Sequence, residues 1–283
     1  MRGLSKGYVL SVLACLLSIG LYSSCGDKDP TSNPPVEVDD SEVLRFMSYN
    51  IHIANPPSLP AGVVDIEAIA RVINNVKPDF VALQEVDRFT DRSGKNLDQA
   101  AAIANLTGMK HVFIKAINRS NGEYGLAILT KFDIEESQTF SLPINQGTGA
   151  ELRALGVVRV KLDDGSDLVF GTTHLDHLQD SNRELQTREA LKNLADYQQY
   201  PIVLGGDFNM NQINPVWDIW KTEFRVPCTN CPSTHRATNP TTAIDFIILN
   251  QMADTKFSVK SYRTYPETYA SDHLPVVVEL TKK

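Results

Sequence analysis

Hydrophobic residues occur along the chain in short runs that predict buried strands connected by helices. Residues 43–50 alternate between hydrophobic and polar positions and end on Asn50, and the continuous hydrophobic run at 80–83 leads into Glu85. Between these two runs, residues 65–76 carry hydrophobic side chains at helical spacing. A strand, a helix and a second strand in this order form a crossover, so Asn50 and Glu85 are expected side by side at one edge of a sheet.

The remaining pattern continues to alternate between the two kinds of element. Several strands at hairpin spacing, which follow two crossover units, imply a mixed sheet or two sheets packed together. Helices are predicted over residues 96–106, 181–197 and 216–220, and strands over 110–116, 124–130, 134–142, 155–162, 167–173, 201–204, 242–249 and 276–280.

Polar residues of the kind found in active sites follow several of these strands. His174 ends one strand, and Asp207 and Asn209 come after two glycines that are expected to end another strand sharply. Residues two apart in extended chain point to the same side, so Asp207 and Asn209 can face one ligand. A carboxylate suits a hard cation or a proton, and an amide can donate to a phosphoryl oxygen. An ordinary strand-to-loop turn is the alternative interpretation.

Asp245 lies within a hydrophobic run, where the cost of burying a carboxylate requires a partner. The motif at residues 271–275 supplies His273 as the candidate, because an Asp that accepts a hydrogen bond from a histidine ring fixes its tautomer and stabilises its charged form. Asp272 would then be free to face a metal ion, although it could also merely cap a turn.

The N-terminal residues predict export. A cationic start is followed by a largely hydrophobic segment at residues 8–22, which matches a secretory signal peptide and is short for a membrane span. Small residues precede Cys25, as in a bacterial lipoprotein signal, so residues 1–24 are interpreted as the signal peptide and Cys25 as the lipidation site. A plain cleaved signal is the alternative. Residues 25–41 then form a flexible tether, and residues 42–283 form the catalytic domain.

Composition and charge narrow the choice of partner. Without the two basic residues of the signal, 25 basic and 34 acidic residues give a net charge of −9. An acidic surface does not favour binding to long polyanions, since affinity for nucleic acids depends on Lys and Arg. The two cysteines within residues 42–283, Cys228 and Cys231, predict a short loop disulfide in an exported protein. Half a zinc site or a redox pair is less well supported.

Taken together, the motifs resemble the endonuclease/exonuclease/phosphatase superfamily, which contains deoxyribonuclease I. They follow one another in the order found in that superfamily and cover most of residues 43–280. The matching segments are residues 48–52, 78–87, 124–130, 173–175, 206–209, 244–247 and 271–275.

The resemblance implies an α/β fold, a four-layer α-β-β-α sandwich of two mixed sheets flanked by helices. It also implies hydrolysis of a phosphate ester assisted by a divalent ion, usually Mg²⁺, with Mn²⁺ and Ca²⁺ as alternatives. By position, the resemblance makes Glu85 the main metal ligand, with Asn50 assisting and Asp272 beside the metal. Asp207 and Asn209 would orient the water and the phosphoryl group. His174 would stabilise the developing charge, and Asp245 would pair with His273.

Several positions depart from the pattern or lack support. Leu126 stands where many relatives carry Asn, which puts a phosphate contact there in doubt. Glu123 is a candidate for the carboxylate that supports His174. Arg153 resembles an arginine of several bacterial members and is a candidate substrate-binding residue, with a surface salt bridge as the alternative. His177 is interpreted as a loop histidine.

The expected activity is that of an exported, lipid-anchored, monomeric phosphodiesterase or phosphatase acting on a small or lipid-linked phosphate ester. An extracellular nuclease is the alternative within the same chemistry. A non-catalytic lipoprotein that binds a ligand at the surface is a third hypothesis, which loss of a strand-end residue would have favoured. All of those residues are present.

Overall fold

Twelve strands and five helices form within residues 43–283, the part of the chain that the computed structural model describes. The helices are α1 (Ile66–Val76), α2 (Gln99–Thr107), α3 (Asp180–Leu194), α4 (Trp217–Trp220) and α5 (Gln251–Lys256), with 3₁₀ turns at His52–Ala54 and Ala195–Tyr197. The strands are β1 (Val43–Asn50), β2 (Phe80–Arg88), β3 (Lys110–Arg119), β4 (Gly122–Thr130), β5 (Ile134–Leu142), β6 (Arg153–Lys161), β7 (Asp167–His174), β8 (Ile202–Asp207), β9 (Phe224–Arg225), β10 (Asp245–Asn250), β11 (Phe257–Thr264) and β12 (Val276–Lys282).

The strands form two six-stranded mixed sheets, which confirms the predicted α/β sandwich. The first sheet has the order β11-β12-β1-β2-β4-β3, and the second has the order β5-β6-β7-β8-β10-β9. Each sheet has one parallel pair near its centre, β1 with β2 and β7 with β8, and antiparallel neighbours on both sides. The two crossovers therefore give the parallel pairs, and the hairpins add the outer strands.

Three hydrophobic layers hold the sandwich together. One packs α1 and α2 on the outer face of the first sheet, and another packs α3 and α4 on the outer face of the second. The third lies between the sheets, where the rings of Phe46 and Phe80 are stacked 5.0 Å apart and Phe170 contacts both. The hydrophobic stripe of α1 faces its sheet, and the helix begins where the Asp65 carboxylate accepts a hydrogen bond from the Ala68 N–H.

The structure corrects several element boundaries. Helix α2 begins three residues later than predicted, because the carboxylate of Asp98 caps it. Strand β10 begins at Asp245, so this carboxylate lies at the start of its strand and not inside it. Strands β9 and β11 and helix α5 were not predicted, whereas the Cys228–Cys231 disulfide is present as predicted.

The N-terminal predictions concern residues beyond this region. The signal peptide (1–24), the tether (25–41) and the lipidation site Cys25 lie outside the described residues. In the part of the chain from residue 43 onwards, no helix has the length and hydrophobicity needed to cross a membrane.

Strand β8 runs through its two glycines to Asp207, so the prediction that they end the strand is wrong. The reason for the glycine at 205 is the close approach of the two sheets. A Cβ atom at Gly205 would lie 2.9 Å from the Ala82 Cβ and 3.1 Å from the Ser48 Cβ of the opposite sheet. Glycine thus lets the central strands of the two sheets approach each other below the site.

We expect Gly205→Ala to lower the free energy of unfolding by about 1–3 kcal/mol, the usual cost of overpacking a core. Adding Ala82→Gly removes the nearest opposing atom and should restore part of the loss, giving a favourable coupling in a double-mutant cycle measured by denaturant unfolding. Strictly additive effects of the two substitutions would contradict the assigned close approach.

Candidate active site

The central strands of both sheets bring polar residues to one edge of the sandwich. In the first sheet, parallel β1 and β2 carry Asn50 and Glu85 near their carboxyl ends. In the second, parallel β7 and β8 end with His174 directly opposite Asp207. Strand β10 runs antiparallel to β8, so its first residue, Asp245, is also opposite Asp207.

The side chain of Asn50 joins the two sheets at this edge. Its Nδ2 donates to Oε1 of Glu85 at 3.2 Å and to Oδ2 of Asp207 at 3.1 Å, while its Oδ1 accepts from the N–H of His52. An amide is suited to this position because it can donate two hydrogen bonds to carboxylates without adding charge. The predicted proximity of Asn50 and Glu85 is confirmed, and Asp207 is added to the pair.

Glu85 owes its position to a bulge in β2. The pairing of β2 with β4 passes from Gln84 to Val86, which leaves Glu85 as the extra residue, with a φ of 58°. Such left-handed conformations are unfavourable for residues other than glycine and occur often at functional sites. The turn after Asn50 has the same character, since His52, Ile53 and Ala54 all have positive φ.

Asp245 has the partner that its burial requires. Nδ1 of His273 lies 2.8 Å from Oδ2 of Asp245, and both side chains are almost fully buried. Burial alone would lower the pKa of the His273 imidazole, but the charge and hydrogen bond of Asp245, together with Asp207 and Asp272, raise that pKa to about 10. His273 is therefore an imidazolium ion at neutral pH.

Asp207 lies between the histidines. Its Oδ2 is 3.5 Å from Nε2 of His174 and 3.9 Å from Nε2 of His273. Burial raises the pKa of Asp207 to about 7, and the charge of Asp245 adds to the increase, although His273 and the hydrogen bonds from Asn50 and Asn209 oppose it. A carboxylate with this pKa can exchange a proton near neutral pH.

Asn209 lies at the site, but not because it continues the extended strand two residues after Asp207, as predicted. Its backbone is left-handed, with a φ of 51°, so it does not continue the extended strand. Its N–H donates to Oδ1 of Asp207, and its side-chain amide donates to the carbonyl of Leu175. A tight turn, and not a strand, therefore holds Asn209 beside Asp207.

His174 is supported by an arginine and not by a carboxylate. Nη1 of Arg153 lies 3.4 Å from Nδ1 of His174, and Arg153 is only 4% exposed, so the surface salt bridge considered for it is not present. The predicted support from Glu123 is wrong, because Glu123 pairs with Arg88 and Lys115.

Two further histidines, which the sequence analysis did not assign to the site, also lie there. Nδ1 of His177 lies 3.1 Å from Nη2 of Arg153. The ring of His235 lies 4.8 Å from that of His273, and its Nε2 is 3.8 Å from Oδ2 of Asp272. No local sequence signal distinguishes these histidines from surface ones, since only the fold brings them near the strand ends. Leu126 is buried between the sheets and cannot contact a phosphate.

Several side chains at this edge carry oxygen atoms that suit a hard divalent cation. The carboxylates of Glu85 and Asp272 and the amide of Asn50 provide oxygen atoms, the ligands that Mg²⁺ prefers. Within residues 43–283, Glu85 is hydrogen-bonded by Asn50 and pairs with no lysine or arginine. Oδ1 of the buried Asp245 also has no hydrogen-bond partner there. Two three-residue groups at this edge have ligand atoms within 4.8 Å of one another, namely Asp207, Asp245 and His273, and His235, Asp272 and His273.

Comparison of the sequence with models of known protein families identifies the class of protein that has this fold and these strand-end residues. The model of the endonuclease/exonuclease/phosphatase family matches residues 47–273. The chain belongs to this family, as the resemblance of its motifs predicted. The family comprises hydrolases of phosphate esters, and the chain is therefore assigned to that class of enzyme.

Solved structures show the same fold at low sequence identity. A family protein from Bacteroides thetaiotaomicron is 20% identical, with a TM-score of 0.68 over 85% of this chain and 98% of that one. A mannosyl-6-phosphatase from Bacteroides thetaiotaomicron VPI-5482 is 23% identical, with a TM-score of 0.66 over 84% of this chain and 99% of that one. The catalytic domain of human nocturnin is 19% identical, with a TM-score of 0.63 over 86% and 94%. No curated protein matches the chain by sequence.

We expect Asp245→Asn to lower the pKa of His273 by about 2, because the substitution removes the negative charge that offsets the effect of burial on this pKa. NMR titration of the imidazole measures this change. The raised pKa stabilises the folded state fully below pH 6.5, and this contribution is lost as pH rises through about 10. The stability difference between wild type and variant should therefore shrink over that range.

Asp272→Asn is the matched control, since Asp272 has a smaller influence on His273 and is partly exposed. An unchanged His273 pKa in Asp245→Asn, or an equal change in both variants, would show that the buried pair does not set the charge of His273.

Proposed function

We propose that this protein is a divalent-metal-dependent hydrolase of phosphate esters, a phosphatase or phosphodiesterase that acts on a small or lipid-linked substrate. The observation that carries the proposal is the meeting of Glu85, Asp207 and His273 at one edge, where Asn50 hydrogen-bonds the two acids across the sheets. A binding protein that had lost catalysis would gain nothing from burying Asp207, Asp245 and His273 together against the cost of desolvation.

Glu85, Asn50 and Asp272 would hold the metal ion. When bound, a divalent ion lowers the repulsion between an anionic phosphate ester and an incoming nucleophile. Glu85 is partly exposed and lies in a bulge, so its carboxylate is held at the surface of the strand edge, while Asn50 behind it is buried.

Asp207 and His273 have complementary roles in proton transfer and charge stabilisation. Asp207, whose pKa burial raises to about 7, is suited to accept a proton from the attacking water. His273 is charged through Asp245 and cannot accept a proton, so it is suited to stabilise negative charge on the phosphoryl group. Of the two candidates for the general base, Asp207 is therefore the better one.

The substrate class rests on charge and on the relatives. The net charge of −7 over the whole chain does not favour a long polyanion, so a nuclease is the second candidate. A protein of this fold is described as a mannosyl-6-phosphatase, which supports a small phosphate ester. We also propose that the protein is monomeric.

The test is a substrate panel with purified protein and added Mg²⁺, covering bis-p-nitrophenyl phosphate, mannose 6-phosphate, sphingomyelin, inositol phosphates and plasmid DNA. We expect turnover of the small or lipid-linked esters, loss with EDTA and recovery with Mg²⁺, Mn²⁺ or Ca²⁺. Preferential turnover of DNA would establish the nuclease instead. No metal-dependent turnover of any substrate would leave the binding protein as the remaining hypothesis.

Glu85→Gln keeps the size of the side chain and removes its charge. We expect kcat/KM to fall by on the order of 10²-fold or more, because several kcal/mol of transition-state stabilisation depend on the bound ion. Glu123→Gln is the control, since Glu123 lies on the same sheet but pairs with Arg88 and Lys115. Equal losses in the two variants would contradict a specific role for Glu85.

The predicted export and anchoring by Cys25 are part of the proposal. Expressed in a bacterium with a lipoprotein pathway, the full chain should label with a fatty-acid probe and fractionate with membranes. Cys25→Ser should abolish the labelling and release the protein, because a lipid chain supplies the membrane affinity. Membrane association that persists unlabelled in Cys25→Ser would rule out this anchor.

A further inference from the structure

Arg153 is a buried cation without a carboxylate partner in the described part of the chain. It is 4% exposed, and the nearby Glu151 pairs with Arg119 instead. The contacts of the guanidinium are with two histidine rings, since Nη1 lies 3.4 Å from Nδ1 of His174 and Nη2 lies 3.1 Å from Nδ1 of His177. Guanidinium groups usually bind carboxylates or phosphates, so two imidazoles are an unusual pair of partners.

A guanidinium determines which nitrogen of each ring carries the proton. It has five N–H donors and no acceptor, and it does not lose its proton. Each Nδ1 that faces Arg153 must therefore be the acceptor. A protonated ring would place an N–H against another N–H, with two positive charges in contact. Each ring is consequently neutral, with its proton on Nε2.

We propose that Arg153 is a positioning residue that holds His174 and His177 as neutral rings with their protons on Nε2. For His174 this places a hydrogen-bond donor toward Asp207, whose Oδ2 lies 3.5 Å from Nε2. Given the proposed function, that N–H is available to an oxygen of the phosphoryl group beside Asp207. Arg153 then acts through His174 and not by direct contact with the substrate.

The two buried histidines thus differ because their partners differ. His273 hydrogen-bonds to Asp245 and is charged, whereas His174 hydrogen-bonds to Arg153. Burial lowers the pKa of His174 well below its usual value, and the positive charges of Arg153 and His273 lower it further. One site thereby combines an imidazolium with a neutral imidazole donor, and a second positive charge beside Arg153 is avoided.

The remaining N–H of the Arg153 guanidinium, on Nε, does not face the site. Nε of Arg153 is buried and has no hydrogen-bond partner among the described residues, so this N–H is not open to a ligand. An arginine placed to bind a substrate would be expected to present its planar fork to the site. Here the Nη atoms face ring nitrogens, which favours positioning over the direct substrate contact that the family resemblance implied.

The first test is NMR of the ¹⁵N-labelled full chain without added metal at neutral pH. Long-range ¹H–¹⁵N correlation spectra distinguish the two neutral tautomers and the charged form of each ring. We expect His174 and His177 in the Nε2–H form and His273 charged. In Arg153→Met, which is similar in length and uncharged, His174 should show a mixture of tautomers.

The second test measures kinetics on a substrate that the protein turns over. Arg153→Met should lower kcat by about 10²-fold, the contribution of one positioned hydrogen-bond donor, with little change in KM. Arg153→Lys retains a donor-only group and should lose less kcat. Arg159→Met, on the same strand but paired with Glu136 and Asp167, is the control for the loss of a strand arginine. Thermal unfolding checks that each variant is folded.

Opposite results would overturn the proposal. These are a wild-type His174 with its proton on Nδ1, an unchanged His174 tautomer in Arg153→Met, or a rise in KM with kcat unchanged, which would indicate direct substrate binding. The NMR result does not depend on turnover. Failure of the proposed hydrolase activity is therefore distinguishable from failure of the assignment of Arg153.

Discussion

The hydrogen bonds of the Asn50 carboxamide are the interaction on which the site depends. Asn50 lies at the end of a strand in one sheet and donates both to Glu85 beside it and to Asp207 in the other sheet. These bonds fix the relative position of two acids that belong to different sheets. They require that the sheets pack with their parallel pairs aligned and close together, and Gly205 permits this close packing because it has no Cβ facing Ala82. The geometry of the polar edge thus depends on the packing of the hydrophobic layer between the sheets.

Burial makes the choice of partner decisive at this edge. In a low-dielectric environment the protonation state of an ionisable group depends more on the nearest charges than on its intrinsic pKa. His273 beside Asp245 becomes a cation, whereas His174 beside Arg153 stays neutral, and Asp207 between them has a pKa near neutrality. Different protonation states therefore coexist within one small site, which is the condition for combining proton transfer with charge stabilisation.

The backbone at the same edge is unusual where the strands end. Glu85, Asn209 and the turn that begins at His52 have left-handed conformations that few residues other than glycine adopt. Each costs on the order of 1–3 kcal/mol, and the packed sheets on either side compensate for it. In exchange, the side chains of Glu85 and Asn209 point in directions that a regular strand would not give. The packed core therefore stabilises the strained backbone that orients the side chains at the edge.

The sequence by itself determined ten of the twelve strands, the order of the motifs and the family, because hydrophobic periodicity and the residues at strand ends are local properties. It also placed Asn50, Glu85, His174, Asp207, Asp245 and His273 at the candidate site and paired Asp245 with His273. Only the tertiary structure decided that β8 continues through its glycines, that a bulge orients Glu85, and that Arg153 and not Glu123 supports His174. These features depend on distances between elements far apart in the chain, such as Arg153 and His177 on either side of β7, and no local pattern encodes them.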